Sequence, residues 1–161
     1  MIETQEVSKS YGTTLALRAL TLTVKPGEVL GLLGPNGAGK TTTIHLLAGF
    51  LKPDSGSVMI DGIDVVKNPD GARSRLGYIP ENVALYPFLS ALENLHHFSA
   101  LAGLKFQKDE LTKKLVASGL APEAINRRVS TFSKGMRQKV GIAIATSKNA
   151  KAPFGRPRLL L

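Results

Sequence analysis

Gly34-Pro35-Asn36-Gly37-Ala38-Gly39-Lys40-Thr41 follows the spacing G-x-x-x-x-G-K-[ST], and its residue types are those that phosphate chemistry requires. The glycines let backbone N–H groups turn inward around phosphate oxygens, where a Cβ would obstruct the approach. A helix N-terminus directly after the loop adds a positive field of its own. Lys40 carries a point charge suited to β and γ phosphates, and the Thr41 hydroxyl is a hard oxygen suited to Mg²⁺. The ligand implied is a nucleoside triphosphate.

Such a loop works only between a strand and a helix that hold it. Val29-Leu-Gly-Leu-Leu33, bounded by Pro26-Gly27 and Gly34-Pro35, predicts a short buried strand. Ile44, Leu47, Ala48 and Leu51 recur at helical spacing, which predicts a helix over about 41–50 and, with the strand, half of a βαβ unit. Upstream, 2–7 and 15–24 read as strands, the second with Leu20, Leu22 and Val24 on one face and Thr21 and Thr23 on the other. Downstream, 57–60 and 76–79 read as strands, closed by Asp61-Gly62 and Pro80. Helices are expected over about 92–101, 108–118 and 136–146, the last turning Val140, Ala143 and Ile144 to a core.

Composition narrows the class. The 161 residues are 43% hydrophobic and 20% charged, which is ample for a buried core and for one domain. With no cysteine, thiolate metal sites, thiol nucleophiles and a disulfide framework are excluded. The acidic start, without an apolar run behind it, argues against a cleaved signal peptide, and no apolar run approaches the roughly 18–20 residues that span a bilayer. Any membrane must come with a partner. The formal charge is +9, from 21 Lys and Arg against 12 Asp and Glu, yet no acidic residue follows Glu123, so the excess is C-terminal. That end lacks the Lys/Arg density and interleaved aromatics of a nucleic-acid arm, and no nucleic-acid partner is expected. His96 and His97 are adjacent and point about 100° apart on a helix, so they cannot chelate together, and they and His45 read as ordinary helix residues.

Three further segments accompany the loop in order: Val7-Ser-Lys-Ser-Tyr11-Gly12, Gly77-Tyr-Ile-Pro-Glu81, and Ser130-Thr-Phe-Ser133-Lys134-Gly135-Met136-Arg-Gln138. Together with the loop, over about 2–149, they resemble the nucleotide-binding subunit of ATP-binding cassette (ABC) transporters, on a drug- or sodium-export-like branch. The resemblance implies an α/β P-loop ATPase fold with a helical subdomain at about 86–130. It implies ATP and Mg²⁺ as cofactors. Tyr11 would stack on adenine, and 34–39 with Lys40, Thr41 and Thr42 would hold the phosphates. Thr41 and Glu81 would hold Mg²⁺, with Glu81 where the family usually has glutamine. Phe132-Ser-Lys-Gly-Met136 stands where the family has Leu-Ser-Gly-Gly-Gln, so that Lys134 and Met136 depart from the pattern. Ser133 and Gly135 keep it, and would face ATP held by a second nucleotide-binding subunit. Lys40, Glu81 and Ser133 are the catalytic assignments. The other partner implied is a transmembrane permease, which places the chain peripherally on the cytoplasmic face of the cell membrane, with export rather than import as the implied direction.

The family pattern continues beyond the signature helix with a strand bearing Asp and Glu. Here 150–161 is a basic tail with two prolines and a glycine, which a central strand does not tolerate. Codons for Pro153 to Pro157, read one base later, can encode Leu-Leu-Asp-Asp-Pro, nearly the missing motif, so a frameshift is the expectation. The chain as written is therefore expected to be a truncated domain at 1–149 that binds ATP weakly and turns it over little. The alternative is a non-catalytic ATP-binding fragment without transport activity.

Overall fold

Alternation of Thr and apolar residues makes the N-terminal segment a hairpin. In a computed structural model, which describes residues 1–148 and 158–160, β1 (Ile2–Tyr11) and β2 (Thr14–Val24) pair antiparallel from Ile2↔Val24 to Tyr11↔Thr14. The ladder is interrupted where Glu6 and Ala19 adopt positive φ. Side chains take over there: Thr21 Oγ1 accepts from Glu6 N at 3.0 Å and Ser8 Oγ from Ala19 N at 2.9 Å. β3 (Ser55–Ile60) joins the other edge of β1, and β4 (Ile63–Asp64) follows through Asp61-Gly62, both at positive φ as a tight two-residue hairpin demands. The sheet order is β2-β1-β3-β4, antiparallel throughout.

α1 (Lys40–Leu47) packs on β2 and β3, and α2 (Pro69–Arg73) on β4. Ile2, Val7, Leu46, Leu47, Val58, Ile60 and Val65 form the core of this first unit, Met1–Leu76. β4 and α2 were not anticipated. Asn68, whose side chain accepts from Gly71 N ahead of a proline at the first helical position, is the signal that announces α2.

The strand expected over 29–33 does not form. Residues 28–35 carry no regular structure, and Val29 and Leu33 are each 95% exposed. A short, wholly apolar strand is stable when neighbours pair with both its edges and cover both its faces. Among the described residues no strand pairs with 29–33: one sheet is made of β2, β1, β3 and β4, and the other strands pair with each other. The βαβ half-unit expected there is thus replaced, among the described residues, by an antiparallel sheet with α1 upon it. α1 forms regardless, because its hydrogen bonds are internal.

The second unit, Gly77–Leu161, is mainly helical: α3 (Ala91–Leu101), α4 (Lys108–Ala117) and α5 (Lys134–Lys148) surround Leu95, Leu111, Leu115, Leu120, Phe132, Val140 and Ala143. Val140 and Ala143 are fully buried and Ile144 packs against them, as their spacing predicted. α3 begins with a reciprocal cap between Ser90 and Glu93. Segment 87–92 runs beside 125–130, with Val129 N donating to Leu89 O and Leu92 N to Ile125 O, and so carries the chain to the start of α5. β5 (Leu76–Tyr78) pairs with β6 (Arg158–Leu160), formed from the end of the basic tail. The frameshift reading of 153–157 lies outside the described residues.

Candidate nucleotide site

Gly34, Gly37 and Gly39 all take positive φ, so the loop turns where only glycine turns without strain. Gly39 (φ 82) leads into α1 with no side-chain cap, and Thr43 N and Thr43 Oγ1 donate to Gly39 O at 2.8 and 2.9 Å. A Cβ on Gly39 would stand 2.6 Å from Leu17 Cδ2 and 2.7 Å from Ala16 O, so β2 is the floor of the loop. Lys40 Nζ folds back and donates to Gly34 O at 2.7 Å and Pro35 O at 2.6 Å. The ammonium is therefore seated over the loop. Pro35, Asn36, Gly37 and Ala38 are exposed above it; Thr41 is exposed and Thr42 half-buried on the first turn of α1. Uncapped helix amides, a seated ammonium and an exposed hydroxyl suit a polyphosphate with its Mg²⁺.

Tyr11 closes β1 and is 49% exposed. It pairs with Thr14, two residues along β1 from Lys9, the partner of Leu17. The hairpin end that bears Tyr11 is thus also the one beneath Gly39. Sequence reasoning placed both in one site; Tyr11 lies at the end of the hairpin whose residues Ala16 and Leu17 approach Gly39.

The second unit carries Glu81, Ser133 and Gly135. Ser133 precedes α5 and caps it, its Oγ accepting from Met136 N at 3.3 Å and its carbonyl from Arg137 N at 3.1 Å. Gly135 is exposed, and α5 has no acidic residue in its first turn. Glu81, 53 residues away in sequence, accepts from Lys134 Nζ at 2.8 Å. That hydrogen bond, and then the charge of the same ammonium, hold the Glu81 carboxyl below its ordinary value. Gln138 Nε2 donates to Glu81 O at 2.7 Å and Pro80 O at 3.2 Å. Lys134 and Gln138 were missed as partners of Glu81. The available signal was that Glu81 and Lys134, opposite in charge, both depart from the usual pattern.

The histidines lie on helices. His45 stands edge-on to Phe50, and His97 edge-on to Tyr86 with centroids 4.8 Å apart. Among the described residues no three His, Asp or Glu gather as a metal cluster, and no helix is long and apolar enough to cross a membrane.

Comparison with known proteins accords with this geometry. The family model described as ABC transporter matches residues 17–153. The ABC transporter ATP-binding protein NatA of Bacillus subtilis is 43% identical over 136 residues, covering 81% of this chain and 54% of that protein. The bacitracin transport ATP-binding protein BcrA of Bacillus licheniformis is 39% identical over 145 residues, covering 90% and 47%. The chain therefore spans about half the length of these curated relatives. Among solved structures, a dimeric post-hydrolysis state of an ATP-binding cassette bound to ADP and Pi superposes with a TM-score of 0.79 at 26% identity, over 92% of this chain and 70% of that one.

Proposed function

Because the chain belongs to the ABC transporter family, we propose that it forms part of the ATP-binding subunit of an ABC transporter, coupling ATP binding and hydrolysis to export through a partner permease. The fold is that of a P-loop ATPase, represented in part. The observation that carries the reading is the phosphate loop, with Lys40 Nζ seated on the Gly34 and Pro35 carbonyls over an uncapped α1.

In this reading Tyr11 stacks on the adenine, a flat π face holding a base with little hydrogen-bond demand. The backbone of 34–39, with N–H donors at every position but Pro35, and the amides of Lys40, Thr41 and Thr42 surround the phosphates, and Lys40 exchanges its two carbonyl partners for β and γ oxygens. Mg²⁺, when bound, neutralises charge on those oxygens. Thr41 and Glu81 are the oxygen ligands this reading assigns to it. Ser133 and Gly135 present a hydroxyl and an open backbone to ATP on a second nucleotide-binding subunit, so two chains act together. Export is the direction this reading takes, and the relative named for bacitracin transport fits such a cargo. The permease places the chain on the cytoplasmic face of the cell membrane.

The test is Mg-ATP titration of the purified chain beside Lys40→Ala. Binding weakened at least about tenfold by the substitution, the effect of losing a charge-assisted contact worth ~1.5–3 kcal/mol, is expected. Equal binding by both proteins overturns the reading.

A further inference from the structure

Three residues of α5 touch the segment that carries Glu81. Lys134 Nζ donates to the Glu81 carboxylate at 2.8 Å, and Gln138 Nε2 donates to the Glu81 and Pro80 carbonyls. At Gly141 an added Cβ would lie 2.8 Å from Val83 Cγ2 and 3.5 Å from Ile79 Cγ2. Positions 134, 138 and 141 are spaced i, i+4, i+7, so they form one stripe along two turns of α5. The stripe meets 79–83 at its start, middle and end.

We infer that this stripe is a built seat for segment 79–83 and that Lys134 is the positioning residue for Glu81, tying its carboxylate to the signature segment 133–136. An exposed ion pair is weak alone. This one is reinforced by a side-chain amide on the adjoining carbonyls and by the close approach of the Val83 side chain to α5 at Gly141. The two departures from the family pattern are then one feature. Glycine at 134 has no side chain to reach 81, and glutamine at 81 gives the Lys134 ammonium no opposite charge. Ser133 adjoins Lys134 at the cap of α5, so a displacement of Ser133 is passed to Glu81 within one helical turn. The functional meaning of that link rests on the reading above, in which Ser133 and Glu81 serve different nucleotides. The seat itself does not.

The experiment is amide hydrogen exchange of 79–84 in the full chain without nucleotide, for wild type, Lys134→Ala, Lys134→Arg, Glu81→Gln and the double Lys134→Ala/Glu81→Gln. Lys134→Ala and Glu81→Gln are each expected to speed exchange about two- to fivefold, the range that a surface ion pair supports. The double variant should be no faster than either single, and Lys134→Arg should return exchange to wild-type rates. Protection of α3 and α4 in every variant reports that the unit remains folded. Gly141→Ala, which crowds Val83 without touching the ion pair, should also speed exchange of 79–84. Unchanged exchange in Lys134→Ala, additive effects in the double variant, or failure of arginine to restore protection would each overturn the proposal. ATP titration of Lys40→Ala tests the nucleotide reading separately, so either idea can fail alone.

Discussion

Asn94, fully buried, exchanges two hydrogen bonds with the backbone of Tyr86: its Oδ1 accepts from Tyr86 N at 2.8 Å and its Nδ2 donates to Tyr86 O at 3.1 Å. The same Nδ2 donates to Ser90 O at 2.9 Å. A single side chain thus satisfies a non-helical segment that has no strand of its own, and fixes where it enters α3. Segment 87–92 in turn aligns 125–130, which leads to Ser133 and α5.

Replacing Asn94 with alanine should therefore cost more than a surface substitution. It takes the Asn94 partner from the Tyr86 N–H, leaves Tyr86 O with Leu89 N as its donor and opens space where a fully buried side chain stood, a loss of about 1–3 kcal/mol. Urea unfolding followed by far-UV circular dichroism checks this, with a lower midpoint expected. A midpoint equal to wild type would show that the amide contributes nothing to the unit.

Gly39→Ala and Lys40→Ala should separate fold from binding. At Gly39 the new methyl meets Leu17 and the Ala16 carbonyl at a positive φ, costing about 1–3 kcal/mol and displacing the loop. Lys40 makes hydrogen bonds only to exposed loop carbonyls, so its removal should change stability by less than about 0.5 kcal/mol while weakening nucleotide binding. Thermal unfolding of both variants, with ATP titration beside it, reads the difference.

Acid should weaken the start of α3 through Glu93. The Ser90 backbone N–H and then the Ser90 hydroxyl donate to its carboxylate and hold its carboxyl below the ordinary 4.5. Because the folded value is the lower one, the contribution is fully present above pH 4.5 and is lost as pH falls through the folded value. Glu93→Gln should flatten the pH dependence of the unfolding midpoint below pH 4.5 and leave it little changed above. In the first unit Asp54, held low by Lys9 and then by Ser10 N, has the same sign.

The exposed apolar segment should drive self-association. Val29 and Leu33 present apolar side chains to water on backbone that belongs to no strand, the pattern that recruits another chain. The double substitution Val29→Lys/Leu33→Lys should raise the concentration at which light scattering appears, with the far-UV spectrum unchanged. Scattering that matches wild type would place the sticky surface elsewhere.

What the sequence by itself determined is what local chemistry decides. The phosphate loop is legible because glycine, lysine and threonine at fixed spacing act within eight residues. The helices are legible because their hydrogen bonds and caps, such as Ser90 with Glu93, span three or four positions. The hairpin of β1 and β2 is legible because its alternation has period two. Only the tertiary structure decided the rest. Whether 29–33 becomes a strand depends on neighbours that its own apolar residues cannot supply, and the sheet that forms pairs elsewhere. That Glu81 meets Lys134 and Gln138, 53 and 57 positions further along the chain, depends on folding that brings α5 along 79–83. Their charges are written in the chain, but the distance between them is set by packing.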